Sequence, residues 1–375
     1  MFYVPNDWDW HVKSRWESEP LILAMYLTNP WRLGLLFLVS GAATRFMIAR
    51  RTPGALARSR TARLLPPLLL GLFVVVPPQT YLQVVETLGF ADSPAAFYLR
   101  YLLGPGFFID GERLLTPTWN HLWFVAYLWV YTLLLAALLA WSPSLAGGLE
   151  RLAARALRGW GVIVWPAVVL AAARLLLAPA FESTHALVDD WYNHAQYLFL
   201  FLLGFAIVKS EPVWAALDRL RRPALALALL SYAAWAAYVW SSRQTPGEPA
   251  EALRVAMRLV YAVDQWAWMA AILAYGRRWL SGRDGPVRRY LTDAIFPFYI
   301  VHQTAIVAFG FHLTRSGLPG PAEASLLIAL TALACLATYE VVRRTPWLRP
   351  LFGLAPSPLA KRDRTAAHAK FLRQA

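Results

Sequence analysis

Leu291–Leu313, LTDAIFPFYIVHQTAIVAFGFHL, decides what kind of molecule this is. It is apolar and long enough to cross a bilayer, since a hydrocarbon core of ~30 Å takes ~20 residues of helix. Near its middle stand His302 and Gln303. Counted from Asp293 at 1.5 Å per residue, His302 lies ~14 Å deep. Tyr299, His302, Gln303 and Ile306 share one helical face by the i, i+3, i+4 rule. Pro297 removes a backbone donor and predicts a bend. Polar side chains at that depth are costly unless they face protein or water, and they mark function by default. The plainer reading, a histidine hydrogen-bonded inside a helix bundle, stays open.

The rest of the chain agrees with a membrane reading. Its 375 residues are 58% hydrophobic and 15% charged, with mean hydropathy +0.42. That composition predicts an all-α polytopic membrane protein. Apolar segments fall near 31–49, 64–84, 121–141, 160–178, 194–209, 223–241, 257–275, 291–313 and 322–342. A bundle of about nine transmembrane helices over 1–349 is expected, followed by a basic tail at 350–375. The net charge of +14 does not point to nucleic acid, because the arginines sit in short runs between apolar segments. Arginine clusters at 45–63, 151–158, 219–222, 277–289 and 343–373 alternate with loops poor in Lys and Arg. By the positive-inside rule the arginine-rich side and the C-terminus are cytoplasmic, which puts Met1 outside. An outside start calls for a preceding helix, so the polar stretch Asn6–Pro20 reads as the outer end of a hairpin whose first helix is missing. The first residues have no signal-peptide pattern. Cys335 is the only cysteine, which excludes disulfides and argues against a thiolate metal site.

Several positions carry candidate chemistry. Ser40 and Gly41, in LFLVSGAATRF, are small residues that permit close helix approach. Arg45 ends that helix, where it could snorkel to the interface. Arg60 and Arg63 are one turn apart just before Pro66 and Pro67, a spacing that suits a phosphate, although a positive-inside anchor has the same composition. Asn120 and His121 lie at the outer mouth of the third span beside Trp119 and Trp123. Asp189, Asp190 and His194 lie at the mouth of another. His185 and Asp189 match an H-x-x-x-D spacing, which in a loop is taken as chance. Asp264 and Gln265 lie about two turns inside a span, so Asp264 needs a partner such as Arg258, His302 or another arginine. Arg174 and Glu340 are expected to pair structurally. No P-loop, dinucleotide fingerprint, HExxH, cysteine cluster or nucleophile elbow occurs, and no internal repeat is visible.

The stretches NPWRLGLLFLVSGAATRF, RSRTARLLPPLLLG, TWNHLWFVAYLWVY, DDWYNHAQYLFLFLLGF and FPFYIVHQTAIV, taken in order, resemble the acyltransferase-3 family of bacterial membrane acyltransferases. The likeness runs over nearly the whole chain and is strongest to the glucans biosynthesis protein C branch. It implies about ten helices in the inner membrane with both ends cytoplasmic. The implied activity moves an acyl group from cytoplasmic acyl-CoA onto hydroxyls of an extracytoplasmic carbohydrate. The branch implies a succinyl group and a periplasmic glucan. The family's RxxR falls on Arg60 and Arg63, its SG pair on Ser40 and Gly41, and the His of its late FYIxH segment on His302. The family's first helix, with its Arg and its catalytic His ten residues on, would precede Met1. His11 does not replace that histidine.

The expected mechanism runs along these groups. Arg60 and Arg63, with Arg45 nearby, hold coenzyme A phosphates at the cytoplasmic face. His302, Gln303 and Tyr299 stand at the reacting carbonyl, where a placed donor is worth ~3 kcal/mol. A sugar hydroxyl enters past His121, Asp190, His194 and Asp264, and the histidine that deprotonates it is expected on the family's first helix, before Met1. No bound cofactor and no metal is called for. The rivals are a transporter or flippase of a polar or lipid-linked solute, using the same buried groups without bond chemistry, and an inactive truncated homologue. The acyl group, the acceptor and the oligomeric state are not legible in the sequence.

Overall fold

The computed structural model describes residues 2–5, 10–104, 106–109 and 111–356. Most of the expected tail, 357–375, lies outside them. The described chain is helical apart from one short antiparallel pair, β1 (Phe107–Ile109) and β2 (Glu112–Leu114). Every apolar segment read from the sequence falls on a helix. These are α1 (Leu21–Ile48), α2 (Pro53–Leu70) running through a π-helical turn into α3 (Pro77–Leu88), α5 (Trp123–Trp141), α7 (Gly161–Leu176) and α8 (Trp191–Ile207). They continue with α9 (Glu211–Gln244), α10 (Glu251–Leu280), α11 (Pro286–Leu313) and α12 (Gly320–Arg344). The shorter α4 (Pro94–Leu103) and α6 (Leu145–Ala156) lie in connections, and α13 (Leu348–Leu351) closes the described chain.

The expected count of nine spans is not reached on length and apolarity. Among the described residues, six helices pass that test, and a seventh if α6 and α7, bent by 110° at a short break, form one span. Two segments read as spans fall short for physical reasons. Helix α8 has 17 residues, or ~26 Å at 1.5 Å per residue, less than a hydrocarbon core. Helix α10 is long enough, but Arg258, Asp264 and Gln265 lower its apolarity.

The chain forms two compact units, one from Met1–Glu19, Ser59–Trp129 and Asp284–Ala375, the other from Pro20–Arg58 and Val130–Arg283. In the first, α11 packs on α12 and on α3. The N-terminal segment is tied to α12 through Ser14, whose hydroxyl donates to Glu323 at 2.6 Å, both groups being buried. Pro77 and Pro78 cannot donate backbone hydrogen bonds, so the end of the π-helical turn would be left with unpaired carbonyls. Hydroxyls from elsewhere in the unit take up that stretch: Tyr98 donates to the Phe73 carbonyl (2.7 Å), Tyr101 to that of Leu72 (2.9 Å) and Thr304 to that of Val75 (2.7 Å). Tyr101 also bonds the Thr118 amide and carbonyl, at 3.0 and 3.2 Å, and is 1% exposed. Replacing it with Phe strands several buried groups at once. The expected loss is about 2 kcal/mol, read as a drop in the unfolding midpoint of the purified protein.

In the second unit α1 lies against α8, and α10 against α9 and α7. The α1–α8 contact is backbone on backbone. A Cβ on Gly41 would sit 1.8 Å from the Phe201 carbonyl oxygen, and one on Gly204 would sit 1.9 Å from that of Leu38. The small residue expected at Gly41 thus has a reciprocal partner on α8. Phe37 stacks on Tyr197 beside this crossing, with ring centroids 4.8 Å apart. Pro166 in α7 frees the carbonyl of Val162 one turn back, and the buried indole of Trp266 on α10 donates to it at 2.8 Å. Here and at Pro77, a proline in an apolar helix comes with a hydrogen-bonding side chain from a neighbour.

Candidate functional site

The first unit gathers the polar residues of α11 around a short 3-10 turn, Asn120–Leu122, that leads into α5. Pro297 lies inside α11, five residues before His302. His121 Nε2 lies 3.1 Å from the carbonyl oxygen of Ile300, so Nε2 carries the proton and donates. Nδ1 is then the basic nitrogen; it is buried and accepts no hydrogen bond. His302 has the other tautomer. Its Nδ1 donates to the carbonyl of Tyr299 at 2.8 Å, leaving the lone pair on Nε2. The two imidazoles lie edge to face with centroids 5.2 Å apart. Two neutral histidines with fixed, opposite tautomers and one unengaged basic nitrogen each make a proton-accepting pair.

The expected oxyanion roles divide on this geometry. The Tyr299 hydroxyl donates to the carbonyl of His121 and so clamps the turn to α11. Its donor is spent on structure. A neutral His302 has no second N–H to offer. The Gln303 amide has no hydrogen bond to the described protein and keeps its donors.

A chain of buried amides supports the turn. Asn120, whose backbone φ is +40°, donates through Nδ2 to Gln79 Oε1 at 3.1 Å and to His11 Nε2 at 2.8 Å. Gln79 donates in turn to Thr304 at 2.6 Å. Burial pushes the His11 imidazole down to about 4, so it stays neutral and able to accept. The sequence placed His11 in a polar segment with no role and passed over Gln79 and Thr304. The signal available for Gln79 was a polar residue inside an apolar segment, the same one that picked out Gln303.

Arg60 and Arg63 also belong to the first unit. Arg60 is 7% exposed, whereas Arg63 is exposed. Thr61, between them, accepts from the Trp129 indole at 2.9 Å, which fixes the rotation of α2 against α5. Pro66 and Pro67 follow inside the helix and free the carbonyls of Ala62 and Arg63.

The remaining predicted residues, apart from Glu340 of the first unit, lie in the second unit. Arg45 pairs with Glu150 at 2.8 Å through one guanidinium nitrogen rather than snorkelling. His194 has both ring nitrogens engaged, Nδ1 with the Tyr131 hydroxyl at 2.9 Å and Nε2 with the Leu187 carbonyl at 3.2 Å. The Asp190 carboxylate is buried; it accepts from Asn193 Nδ2 at 3.0 Å and from the His185 backbone amide at 3.1 Å. This places His185 in a loop-closing bond and gives the H-x-x-x-D spacing no catalytic geometry. Asp264 has no cationic partner of the kind expected. It accepts from Ser231 at 3.2 Å, while Arg258 pairs with Glu251. Gln265 donates to Gln196 at 3.0 Å, and Gln196 to Asn193 at 2.7 Å, a buried amide row joining α10 to α8. Glu340 pairs with Arg343 and Arg344 as a structural group. Arg174 pairs with no carboxylate among the described residues; its guanidinium donates to the Tyr192 hydroxyl at 2.8 Å and lies 3.5 Å above the Tyr261 ring.

A family model described as an acyltransferase domain matches residues 5–340. No curated protein and no solved structure matches the chain. The match covers all of the polar helices described above, including α11 with its histidine, and the chain therefore belongs to the acyltransferase-3 family of membrane acyltransferases.

Proposed function

We propose that the protein transfers an acyl group from cytoplasmic acyl-CoA to a hydroxyl of an extracytoplasmic carbohydrate, with His302 as the proton acceptor. The observation that carries this reading is the His302 tautomer. A backbone carbonyl holds the proton on Nδ1 and leaves Nε2 basic, as general-base catalysis requires. Nε2 takes the proton of the sugar hydroxyl as its oxygen attacks the thioester carbonyl. The carbonyl oxygen gains charge and is met by the Gln303 amide. The C–S bond then breaks, and the proton passes from His302 to the departing thiolate, giving ester and free coenzyme A. The chemistry needs no bound cofactor from this chain. His194, whose two ring nitrogens are already engaged, takes no chemical step.

Arg60 and Arg63 are proposed to hold the donor's phosphates, the buried Arg60 as the fixed ligand and the exposed Arg63 as the outer one. Charge-assisted bonds from a guanidinium to phosphate are among the strong ones. Arg60→Ala is expected to raise the KM for acyl-CoA by about 10-fold or more, with Arg63→Ala smaller in effect. Coenzyme A release by purified protein measures both. Unchanged KM in both folded variants would remove the assignment.

The acyl group is proposed to be succinyl and the acceptor a periplasmic glucan, on the likeness of the quoted motifs to that branch. Mass spectrometry of glucans from cells with and without the gene tests this finer reading. Glucans carrying identical substituents in both would overturn it, and release of coenzyme A without ester product would favour hydrolysis instead.

A further inference from the structure

The second unit holds two guanidiniums that no carboxylate neutralises. Arg174 ends α7 and Arg32 lies within α1. Among the described residues, neither forms an ion pair. Arg32 has only a long hydrogen bond to Asn29 Oδ1 at 3.3 Å. Arg174 bonds the Tyr192 hydroxyl and covers the Tyr261 ring, and its Nε–H is buried with no acceptor. Both arginines interact electrostatically with Tyr261. The indole of Trp235 packs on the same ring at 5.1 Å, and its Nε1–H is likewise buried without an acceptor. Of the buried carboxylates of this unit, Asp190 is held by Asn193; Asp264 accepts from Ser231 through Oδ1 and interacts electrostatically with Tyr261, one carboxylate against the two guanidiniums.

Around Tyr261 there is therefore an excess of buried donors and of positive charge. A buried cation left without a counter-charge is costly, and buried N–H groups are almost always satisfied. The group that would satisfy all of them is small, rich in acceptor oxygens and negative. We propose that Arg174 and Arg32, with Tyr192, Tyr261 and Trp235, form an anion-binding site for a carboxylate or phosphate group. Arginine's planar fork suits either group. The aromatic faces fit the carbon skeleton attached to it. The proposal does not depend on the acyl-transfer reading.

The test is binding, not turnover. The purified full chain is heated in neutral detergent with millimolar succinate, monomethyl succinate, inorganic phosphate, phosphatidylglycerol or sodium chloride at matched ionic strength. A ligand well above its dissociation constant is expected to raise the midpoint by roughly 2–4 °C. A shift with succinate that weakens with the monomethyl ester assigns the site to a carboxylate-bearing substrate. A shift confined to phosphate and phosphatidylglycerol assigns it to a phosphate, and phosphatidylglycerol alone to a lipid headgroup. Arg174→Gln is expected to abolish the shift while leaving the unliganded midpoint equal or higher, because the uncompensated charge is gone. Should that variant not fold, Arg32→Gln and the charge dependence of the wild-type shift decide the matter. Equal shifts with every salt, no shift with any, or a shift that survives in folded Arg174→Gln would overturn the proposal.

Discussion

His302→Gln is expected to lower the turnover number for acyl transfer by at least about 100-fold, the usual weight of a positioned general base, with the unfolding midpoint nearly unchanged. Glutamine keeps a polar group near the Tyr299 carbonyl but carries no nitrogen that accepts a proton at neutral pH. The variant therefore separates two roles that the wild-type imidazole combines, packing on α11 and basicity at Nε2. A histidine engaged only through Nδ1 contributes one bond to a carbonyl, and losing that bond costs about 1 kcal/mol. A turnover loss far above that value cannot come from the structural role. The companion is His121→Gln. His121 donates through Nε2 to the Ile300 carbonyl and keeps Nδ1 basic, so it is the other candidate base. If His121→Gln removes turnover while His302→Gln leaves it within a few-fold, the proton goes to His121 and the assignment above is wrong. Turnover is measured as coenzyme A thiol released and ester formed by the full chain in a lipid nanodisc.

The helices and the outstanding histidine were legible because the bilayer imposes simple rules. Apolar runs of fixed length mark helices, and polar groups inside them mark sites. Those rules drew attention to α11, His302 and Gln303, whereas Arg60 and Arg63 stood out through their RxxR spacing and the family resemblance. The same rules gave nine spans, whereas six or seven helices among the described residues pass on length and apolarity, α8 being apolar but short and α10 long but interrupted by charge. They could not say which polar groups are already engaged, because that depends on neighbours distant in the chain. Arg45 and Glu150 are 105 positions apart, and nothing local announces that pair. His194 and His302 look equivalent as letters. One has both nitrogens committed and the other has one free, and only the tertiary contacts with Tyr131 and Leu187 make that difference. Gln79 was missed for a similar reason. Its buried amide donates to Thr304, 225 positions away, and accepts from Asn120.

The largest effect on folding is expected at Gly41. Gly41→Leu should leave no folded protein, and Gly41→Ala should cost about 3 kcal/mol or more, the upper range for overpacking. In a bilayer the lipid is as apolar as the side chains, so helices are held by close packing rather than by expulsion from water. At this crossing the closest approach is between backbones, with the Phe201 carbonyl 1.8 Å from where a Gly41 Cβ would stand. No rotamer change relieves a clash with a carbonyl oxygen, so α1 and α8 must separate. Separation also weakens the Phe37–Tyr197 stack and loosens the buried Phe201 and Leu200. The control is Gly148→Ala on α6, where a Cβ meets nothing within 4 Å. There, lower backbone entropy in the unfolded chain should make the change neutral or stabilising by about 0.5 kcal/mol. Gly204→Ala opens the same crossing from the other side, so combining it with Gly41→Ala should cost less than the two single losses together. Thermal or denaturant unfolding in detergent gives the values for the three single alanine variants and the double variant. If Gly41→Ala and Gly148→Ala prove equally stable, α1 and α8 are not in backbone contact, and the bundle of the second unit is packed differently.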